Sequence, residues 1–149
     1  MPTHFTGSKD AQRALNAYIA LMRASDSVSA RVHRHLAETG LSISQFGVLE
    51  ILYHLGPLSP RDLCAKLLRS SGNVTLILDN LEKRELIRRE RDQRDRRMVT
   101  IHLTEAGQAL ISEVFPRQAE AIQADLAILT PAEQDDLRRL CRKLGLQQG

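Results

Sequence analysis

The sequence predicts a mainly helical (α+β) fold that contains one small β-hairpin. Apolar residues recur at three- and four-residue steps through most of the chain, whereas segments 86–91 and 98–103 alternate between apolar and polar residues. With 149 residues and 42% apolar content, the chain is long enough to bury a core without disulfides or a metal. Aromatic residues make up only 3% of it, so the core is predicted to be aliphatic.

Two helices are predicted in the first third of the chain. The first spans residues 10–38 and can end at Gly40. The second begins near Ser44, a suitable N-cap, and ends at Gly56-Pro57. Its predicted buried face consists of Phe46, Leu49, Leu52 and Leu55.

A pair of short helices follows an extended piece around Leu58. Ser59 and Pro60 begin the first of them, because serine favours the cap and proline favours the first helical position. The second begins at Ser70 or Ser71, about three residues after the first ends. Its predicted inward stripe consists of Val74, Ile77, Leu78 and Leu81. This arrangement predicts a helix-turn-helix.

The two alternating segments are predicted to form a hairpin with a charged tip between them. In the second segment, Val99, Ile101 and Leu103 share one face and polar residues occupy the other. An isolated two-stranded hairpin is marginally stable in water, so this one is expected to pack on the helices.

The chain is predicted to end in two further helices. Thr104 caps the first, and Pro116 is expected to bend it. Thr130 and Glu133 form a capping box at the start of the last helix. The apolar face predicted for that helix includes Leu137, Leu140 and Leu144.

Positive charge is concentrated in one part of the sequence. The net charge is only +3, yet residues 61–97 hold 11 Lys and Arg against 7 Asp and Glu. Seven arginines lie between Arg84 and Arg97. Because these arginines surround the predicted hairpin tip just after a helix-turn-helix, the element order predicts a winged helix-turn-helix. Its expected partner is a polyanion, double-stranded DNA.

The residue types at the second short helix fit DNA as well. The first turn of a helix presents unpaired backbone N–H groups, which favour a phosphate. Asn and Thr side chains reach base edges in the major groove, and an arginine at a hairpin tip suits the narrow minor groove. The candidate groove-reading residues are Ser70, Ser71, Asn73 and Thr75.

Two segments carry a resemblance to a known family. The stretch "DRRMVTIHLTEAG" at 95–107 is similar to the wing signature of MarR (multiple antibiotic resistance regulator) transcription factors. The stretch "SSGNVTLILDNLEKRELIRRE" at 70–90 resembles their recognition helix and first wing strand. The resemblance extends over nearly the whole chain in element order and is specific at these two segments.

The resemblance implies roles for the tip residues. Arg97 would enter the minor groove, and Asp95 would orient it through a charge-assisted hydrogen bond. Arg94 and Arg96 would contact phosphates. The groove-reading residues of the recognition helix would face the major groove.

The resemblance also implies an organisation and an assembly. The chain would be one domain, 1–149, with a DNA-binding lobe at 44–103 whose wing is 86–103. Helices within 10–38 and 104–145 would join two copies into a homodimer that reads a pseudo-palindromic operator.

The leading interpretation is a cytoplasmic transcriptional regulator, and the resemblance implies that it is a repressor released by a small aromatic or phenolic ligand. The candidate residues for a ligand pocket are Arg31, His33 and His54. Two alternatives stay open, a thiol-based repressor that uses Cys64 and a winged-helix module for protein assembly. Cys64 is otherwise expected to be a small buried hydrophobe, and Cys141 is a weaker redox candidate.

Other classes of protein are disfavoured by what the sequence contains. No nucleophile–base pairing or Gly-rich phosphate loop indicates an enzyme, and no cofactor is expected. The five histidines have no metal-ligand spacing. No apolar run near 18 residues indicates a membrane span.

Overall fold

A computed structural model describes residues 2–67 and 73–146, and the chain has the predicted fold class, mainly helical with one antiparallel hairpin. In chain order the elements are α1 (Lys9–Val32), a 3-10 turn (Arg34–Glu38), α2 (Ile43–Leu55), α3 (Pro60–Lys66), α4 (Val74–Lys83), β1 (Ile87–Arg91), β2 (Val99–Leu103), α5 (Glu105–Leu126) and α6 (Pro131–Gly145).

The chain divides into two compact units, of which residues 35–119 form one. This unit contains the hydrophobic core, and the core is aliphatic as predicted apart from Phe46 and the partly buried Tyr53 and Phe115 at its edge. Each of its helices and strands contributes side chains to it, so the α2–β2 segment and the start of α5 fold as one body. Its fully buried aliphatic residues include Leu49, Leu63, Leu81, Ile101 and Ile111.

The hairpin has a simple register. β1 and β2 pair antiparallel from Ile87 opposite Leu103 to Arg91 opposite Val99. The extended piece predicted around Leu58 is confirmed, because its backbone exchanges two hydrogen bonds with Ile101, at 3.3 and 2.7 Å. β2 therefore lies between Leu58 and β1, which ties the wing to the helical lobe.

Several helix starts lie where the sequence predicts them. The Ser59 hydroxyl accepts a hydrogen bond from the Asp62 backbone N–H at 3.1 Å, with Pro60 in the first turn of α3. Thr130 and Glu133 form both hydrogen bonds of the predicted capping box of α6. These caps depend on residues only three positions apart, which is why sequence alone identifies them.

Two predicted caps are wrong. Ser42, not Ser44, begins α2, where it forms a capping box with Gln45. Asn73 begins α4, in place of Ser70 or Ser71, because its side-chain oxygen accepts from the Leu76 N–H at 3.1 Å. Residues 68–72, which include both serines, lie outside the described part of the chain.

Three other expectations need correction or qualification. The helix predicted over 10–38 is α-helical only to Val32, after which the chain tightens into a 3-10 turn. Leu55, predicted to be buried, is exposed at the last turn of α2. α5 continues through Pro116 as one helix, in which the proline removes one backbone donor, and the bend expected there stays a prediction.

The second unit comprises residues 1–34 and 120–149, of which 2–34 and 120–146 are described. Here Arg31 of α1 donates to both carboxylate oxygens of Asp125, at 2.6 and 3.0 Å. The Gln134 side chain donates to the Leu126 and Leu129 carbonyls and so covers the end of α5. Large apolar side chains on α1 and α6 are exposed, among them Tyr18, Met22, Leu137, Leu140 and Leu144.

Candidate DNA-binding site

The N-terminus of α4 presents polar groups to solvent. Asn73 and Thr75 are both exposed. The Asn73 side-chain oxygen is used as the helix cap, which leaves its amide NH2 to donate to another molecule. The first backbone N–H groups of the helix add partial positive charge there. The other two predicted groove-reading residues, Ser70 and Ser71, lie outside the described residues.

The wing tip is folded by a carboxylate that the sequence patterns did not single out. The Asp92 side chain accepts hydrogen bonds from the backbone N–H groups of Arg94 and Asp95, at 2.7 and 3.4 Å. Its own N–H donates to the Met98 carbonyl at 2.9 Å. Aspartate commonly bonds the backbone two residues ahead in turns, so the Asp92-x-Arg94 spacing was a usable signal.

A second carboxylate, that of Asp95, orients Arg97, the arginine expected to enter the minor groove. Asp95 Oδ1 accepts from both the backbone N–H and the Nε of Arg97, each at 3.1 Å, and Nη2 donates to Oδ2 at 3.3 Å. The side-chain hydrogen bond from Arg97 lowers the pKa of Asp95, and its backbone hydrogen bond lowers it further. The Arg97 side chain is nevertheless 91% exposed, so it is oriented and still accessible.

The other two arginines of the tip differ from Arg97 because no carboxylate in the described part of the chain orients their guanidinium groups. Arg94 and Arg96 are exposed, and among the described residues neither guanidinium has an ion-pair or hydrogen-bond partner. Arg91 stabilises the loop, because its Nη1 donates to the Arg96 carbonyl at 2.9 Å. The tip therefore presents two uncompensated positive charges beside the oriented Arg97.

The outward face of the hairpin is charged but largely self-neutralised. Arg88 donates to Glu90 at 2.6 Å, and His102 Nε2 lies 3.3 Å from the same carboxylate. The hydrogen bond from Arg88 is the main reason that the pKa of Glu90 is lowered. Positive charge in the wing is thus concentrated at the tip rather than spread along the strands.

The three candidate ligand residues are engaged within the protein. Arg31 pairs with Asp125, and the His33 ring nitrogen Nδ1 lies 2.8 Å from the Ser29 carbonyl oxygen. His54 belongs to the other unit, and its ring packs edge-on against Phe115 with ring centres 4.4 Å apart. A ligand that used any of the three would have to compete with these internal contacts.

The expectation that Cys64 is buried is wrong. Leu63 occupies the fully buried position of α3, and Cys64, one residue later and about 100° around the helix, is exposed. Cys141 is also exposed, on α6. Neither cysteine forms a disulfide in the structure.

The part of the chain that the structure describes contains neither a metal-ligand cluster nor a membrane-spanning helix. Across residues 2–67 and 73–146, no three His, Cys, Asp or Glu side chains cluster as metal ligands would. In those same ranges no helix combines the length and the apolar character needed to cross a membrane.

Comparison with known proteins assigns the family. The family model described as "MarR family" matches residues 41–99, which run from the turn before α2 to the start of β2. The chain is 38% identical to YkoM of Bacillus subtilis, an HTH-type transcriptional regulator, over 93% of this chain and 90% of that protein. The chain is a member of the MarR family. Its other relatives include the HTH-type transcriptional regulator MhqR of B. subtilis, 32% identical over 91% of this chain and 93% of that one.

Solved structures agree with this assignment. BpsR of Bordetella bronchiseptica superposes with a TM-score of 0.79 at 27% identity, covering 99% of this chain and all of that chain. As a MarR-family member, the protein is a DNA-binding transcriptional regulator and not an enzyme.

Proposed function

We propose that the protein is a homodimeric, sequence-specific transcriptional repressor whose lobe at residues 44–103 binds double-stranded DNA. The observation that carries this proposal is the construction of the wing tip. Two carboxylates fold the loop onto itself, which leaves Arg94 and Arg96 uncompensated and available to phosphates. A narrow hairpin bearing exposed arginines suits the minor groove, where negative potential is concentrated.

Major-groove reading is assigned to the start of α4. Ser70, Ser71, Asn73 and Thr75 are the proposed contacts, with the Asn73 amide and the exposed Thr75 supporting this role. Asn side chains pair with adenine, and a Thr methyl packs on the thymine methyl group. At the wing, Arg97 would enter the minor groove in the orientation set by Asp95.

The wing assignment is tested with Arg97→Ala on a duplex that the wild-type protein selects from a random-sequence library. The variant is expected to bind this duplex about 5- to 150-fold more weakly, which corresponds to roughly 1–3 kcal/mol. Arg88→Ala removes an exposed arginine of β1 that is already paired with Glu90, and it is the matched control. Equal affinity of Arg97→Ala and wild type would remove Arg97 from the site.

The homodimer is supported by exposed apolar side chains in the unit that holds α1 and α6. Leu137, Leu140 and Leu144 follow the three- and four-residue steps of one helical stripe, and all three are more than 40% exposed. A contiguous apolar stripe of this kind favours association with another chain. We assign helices within 10–38 and 104–145 to dimerisation, which would give the protein two DNA-binding lobes and a pseudo-palindromic operator.

Sedimentation of Leu140→Glu tests the assembly. A charge in the apolar stripe is expected to shift the protein to monomers and to abolish tight binding to the two-half-site duplex. Ile128→Glu alters an even more exposed residue outside the helices and is the control. A wild-type protein that sediments as a monomer at micromolar concentration would contradict the proposal.

A small aromatic anion is the proposed effector. Regulation of DNA binding by 6-hydroxynicotinic acid is described for BpsR, the structural relative with 27% identity. A ligand that prefers a lobe spacing unsuited to the operator would lower DNA affinity by its differential affinity for the two states. The test is whether 6-hydroxynicotinic acid releases the selected duplex and whether Arg31→Ala, His33→Ala or His54→Ala prevents the release.

Thiol control through Cys64 is the second candidate, and it is favoured by one observation, the exposure of this residue within α3. Peroxide should then weaken binding of wild type to the duplex and leave Cys64→Ser unaffected. Cys141→Ser is the matched control. An identical response of wild type and Cys64→Ser would exclude the thiol mechanism.

A further inference from the structure

One arginine of the wing, Arg89, lies on the face of β1 that is turned toward the hydrophobic core. In β1, Ile87 and Arg89 share the face that is turned toward the core, and Arg89 lies directly opposite the fully buried Ile101. A charged side chain is rarely placed beside core residues unless it is paired. The Arg89 side chain is 28% exposed, so its partners determine what it does there.

Both partners of Arg89 belong to α4. Nη1 donates to Glu82 Oε1 at 2.7 Å, and Nη2 donates to Asp79 Oδ1 at 2.8 Å. Residues three apart are neighbours on a helix surface, so one planar guanidinium reaches both carboxylates at once. The wing is thereby attached to α4 at two positions that lie slightly less than one turn apart.

The backbone of Arg89 adds a third link. Ile101 uses its N–H and C=O to pair with Leu58, so its cross-strand neighbour Arg89 occupies a non-hydrogen-bonded position of the hairpin. The Arg89 N–H therefore points away from β2, and it donates to Glu82 Oε2 at 3.2 Å. Glu82 thus holds the strand backbone and the side chain together, an arrangement that fixes the strand direction relative to the helix.

These links affect both sets of proposed DNA contacts, those at the start of α4 and those at the wing tip. Thr75, Asp79 and Glu82 lie four and then three residues apart, on one stripe of α4. Attaching the last two residues of this stripe to the wing sets the rotation of α4 about its axis, and with it the direction of Thr75. It also sets the position of the wing tip relative to the start of the helix.

We propose that Arg89 is a positioning residue that holds the wing and the recognition helix at the separation required to engage a minor and a major groove together. The inference rests on the proposed function, since it assumes DNA contacts at both the tip and α4. A partly exposed ion pair contributes little to global stability. Loss of Arg89 is therefore expected to affect concerted binding more than folding.

The test compares Arg97→Ala in two backgrounds, wild type and Arg89→Met, on the duplex selected by the wild-type protein. If Arg89 positions the wing, Arg97→Ala lowers affinity at least about fivefold in the wild type and less than about twofold in Arg89→Met. Arg88→Met is the matched control, because Arg88 is on the same strand but pairs with Glu90 on the outer face. In that background the effect of Arg97→Ala should be unchanged.

Hydrogen exchange of the free protein provides a readout that does not depend on DNA. Amides of residues 88–99 are expected to exchange faster in Arg89→Met than in wild type or Arg88→Met, while those of the α2 core are unchanged. Arg89→Lys should resemble Arg89→Met, since an ammonium cannot reproduce the two-pronged geometry. If Arg89→Met fails to fold, Glu82→Gln removes the shared carboxylate with little change in shape.

The outcomes separate the two proposals. If Arg97→Ala lowers affinity at least about fivefold in wild type and by the same factor in Arg89→Met, or if exchange of the wing amides is unchanged, the positioning role of Arg89 is overturned. Faster exchange in Arg89→Met together with no effect of Arg97→Ala in wild type would uphold the positioning role and refute the wing contact of Arg97.

Discussion

The Leu86 carbonyl occupies the space beside Gly107 in which any other residue would place its Cβ. A Cβ built on Gly107 would lie 3.0 Å from the Leu86 carbonyl carbon and still closer to its oxygen. Thr104 draws the segments together, because its N–H donates to the Leu86 carbonyl at 3.1 Å and its hydroxyl donates to the Glu85 carbonyl at 2.6 Å. The Leu-Thr-x-x-Gly spacing therefore joins the start of α5 to the turn that follows α4.

Gly107→Ala is expected to destabilise the protein because the added methyl group meets backbone rather than a movable side chain. The free energy of unfolding should fall by about 1–3 kcal/mol, measured by urea denaturation at fixed protein concentration. Gly145→Ala, at a glycine of α6 with open space around it, should be neutral or slightly stabilising. If the urea denaturation curves of Gly107→Ala and wild type are similar, α5 and Leu86 can move apart at little cost in free energy.

Glu85→Gly is expected to stabilise the protein. Glu85 has φ of 58° at the end of α4, where the Glu85 and Leu86 N–H groups donate to the Glu82 and Leu81 carbonyls. This pair of hydrogen bonds is a Schellman motif, whose left-handed residue is usually glycine. Relieving the strain should raise the free energy of unfolding by about 0.5–1 kcal/mol, measured by urea denaturation.

Glu85→Ala is the control for that substitution. Alanine also removes the carboxylate but keeps a Cβ, so it should give no comparable gain. If alanine stabilises as much as glycine, the benefit comes from the removal of the charge and not from the backbone conformation.

The salt dependence of DNA binding should report the two uncompensated tip arginines. In both Arg94→Ala and Arg96→Ala, the slope of log affinity against log salt concentration should become shallower by about 0.9 for each phosphate that is no longer neutralised. Arg88→Ala, which removes an arginine already neutralised by Glu90, should change the slope much less. Equal slopes for all four proteins would place the tip away from the phosphates.

Stability should depend on pH through Asp125. The hydrogen bond from Arg31 lowers the pKa of Asp125 below its ordinary value of 3.8 in the folded protein. The stabilisation is therefore fully present above pH 3.8 and is lost as pH falls through the lower, folded pKa. Asp125→Asn should lower the free energy of unfolding at neutral pH. The difference in this free energy between the variant and wild type should become smaller as the pH falls below the folded pKa of Asp125.

Asp136→Asn is the comparison for Asp125, because Asp136 lies 3.7 Å from Arg139 and is largely exposed. Its effect on unfolding should be small at every pH. A difference between Asp125→Asn and wild type that does not change with pH would show that the ion pair is not the source of the stabilisation.

The parts of the fold that the sequence predicts well are local ones. The caps at Ser59 and Thr130 and the alternation of Val99, Ile101 and Leu103 involve neighbours along the chain, and the structure confirms them. The proposed DNA-contacting arginines are located in the same way, since charge density and element order suffice to find a wing tip. The turn residue Asp92 was missed, although the residue it organises is only two positions away.

Long-range pairings cannot be predicted from the sequence patterns. Strand alternation places Arg89 on the same face as Ile87 and Arg88 on the opposite face, but it does not indicate which partners they have. In the structure Arg89 pairs with carboxylates of α4, whereas Arg88 pairs within its own strand. The prediction for Cys64 was wrong for a related reason. The buried stripe of the short helix α3 passes through Leu63, and a seven-residue helix gives little periodicity from which to assign that stripe.

By itself, the sequence determined the helical class, the hairpin, most helix starts and the family signature. These follow from hydrophobic period, cap chemistry and glycine placement, which act over a few residues. Only the tertiary structure decided which arginine joins the wing to α4, why position 107 must lack a side chain, and that Cys64 faces solvent. Each of these depends on packing between segments distant in sequence, where the geometry of a whole folded unit selects one contact among many with the same local pattern.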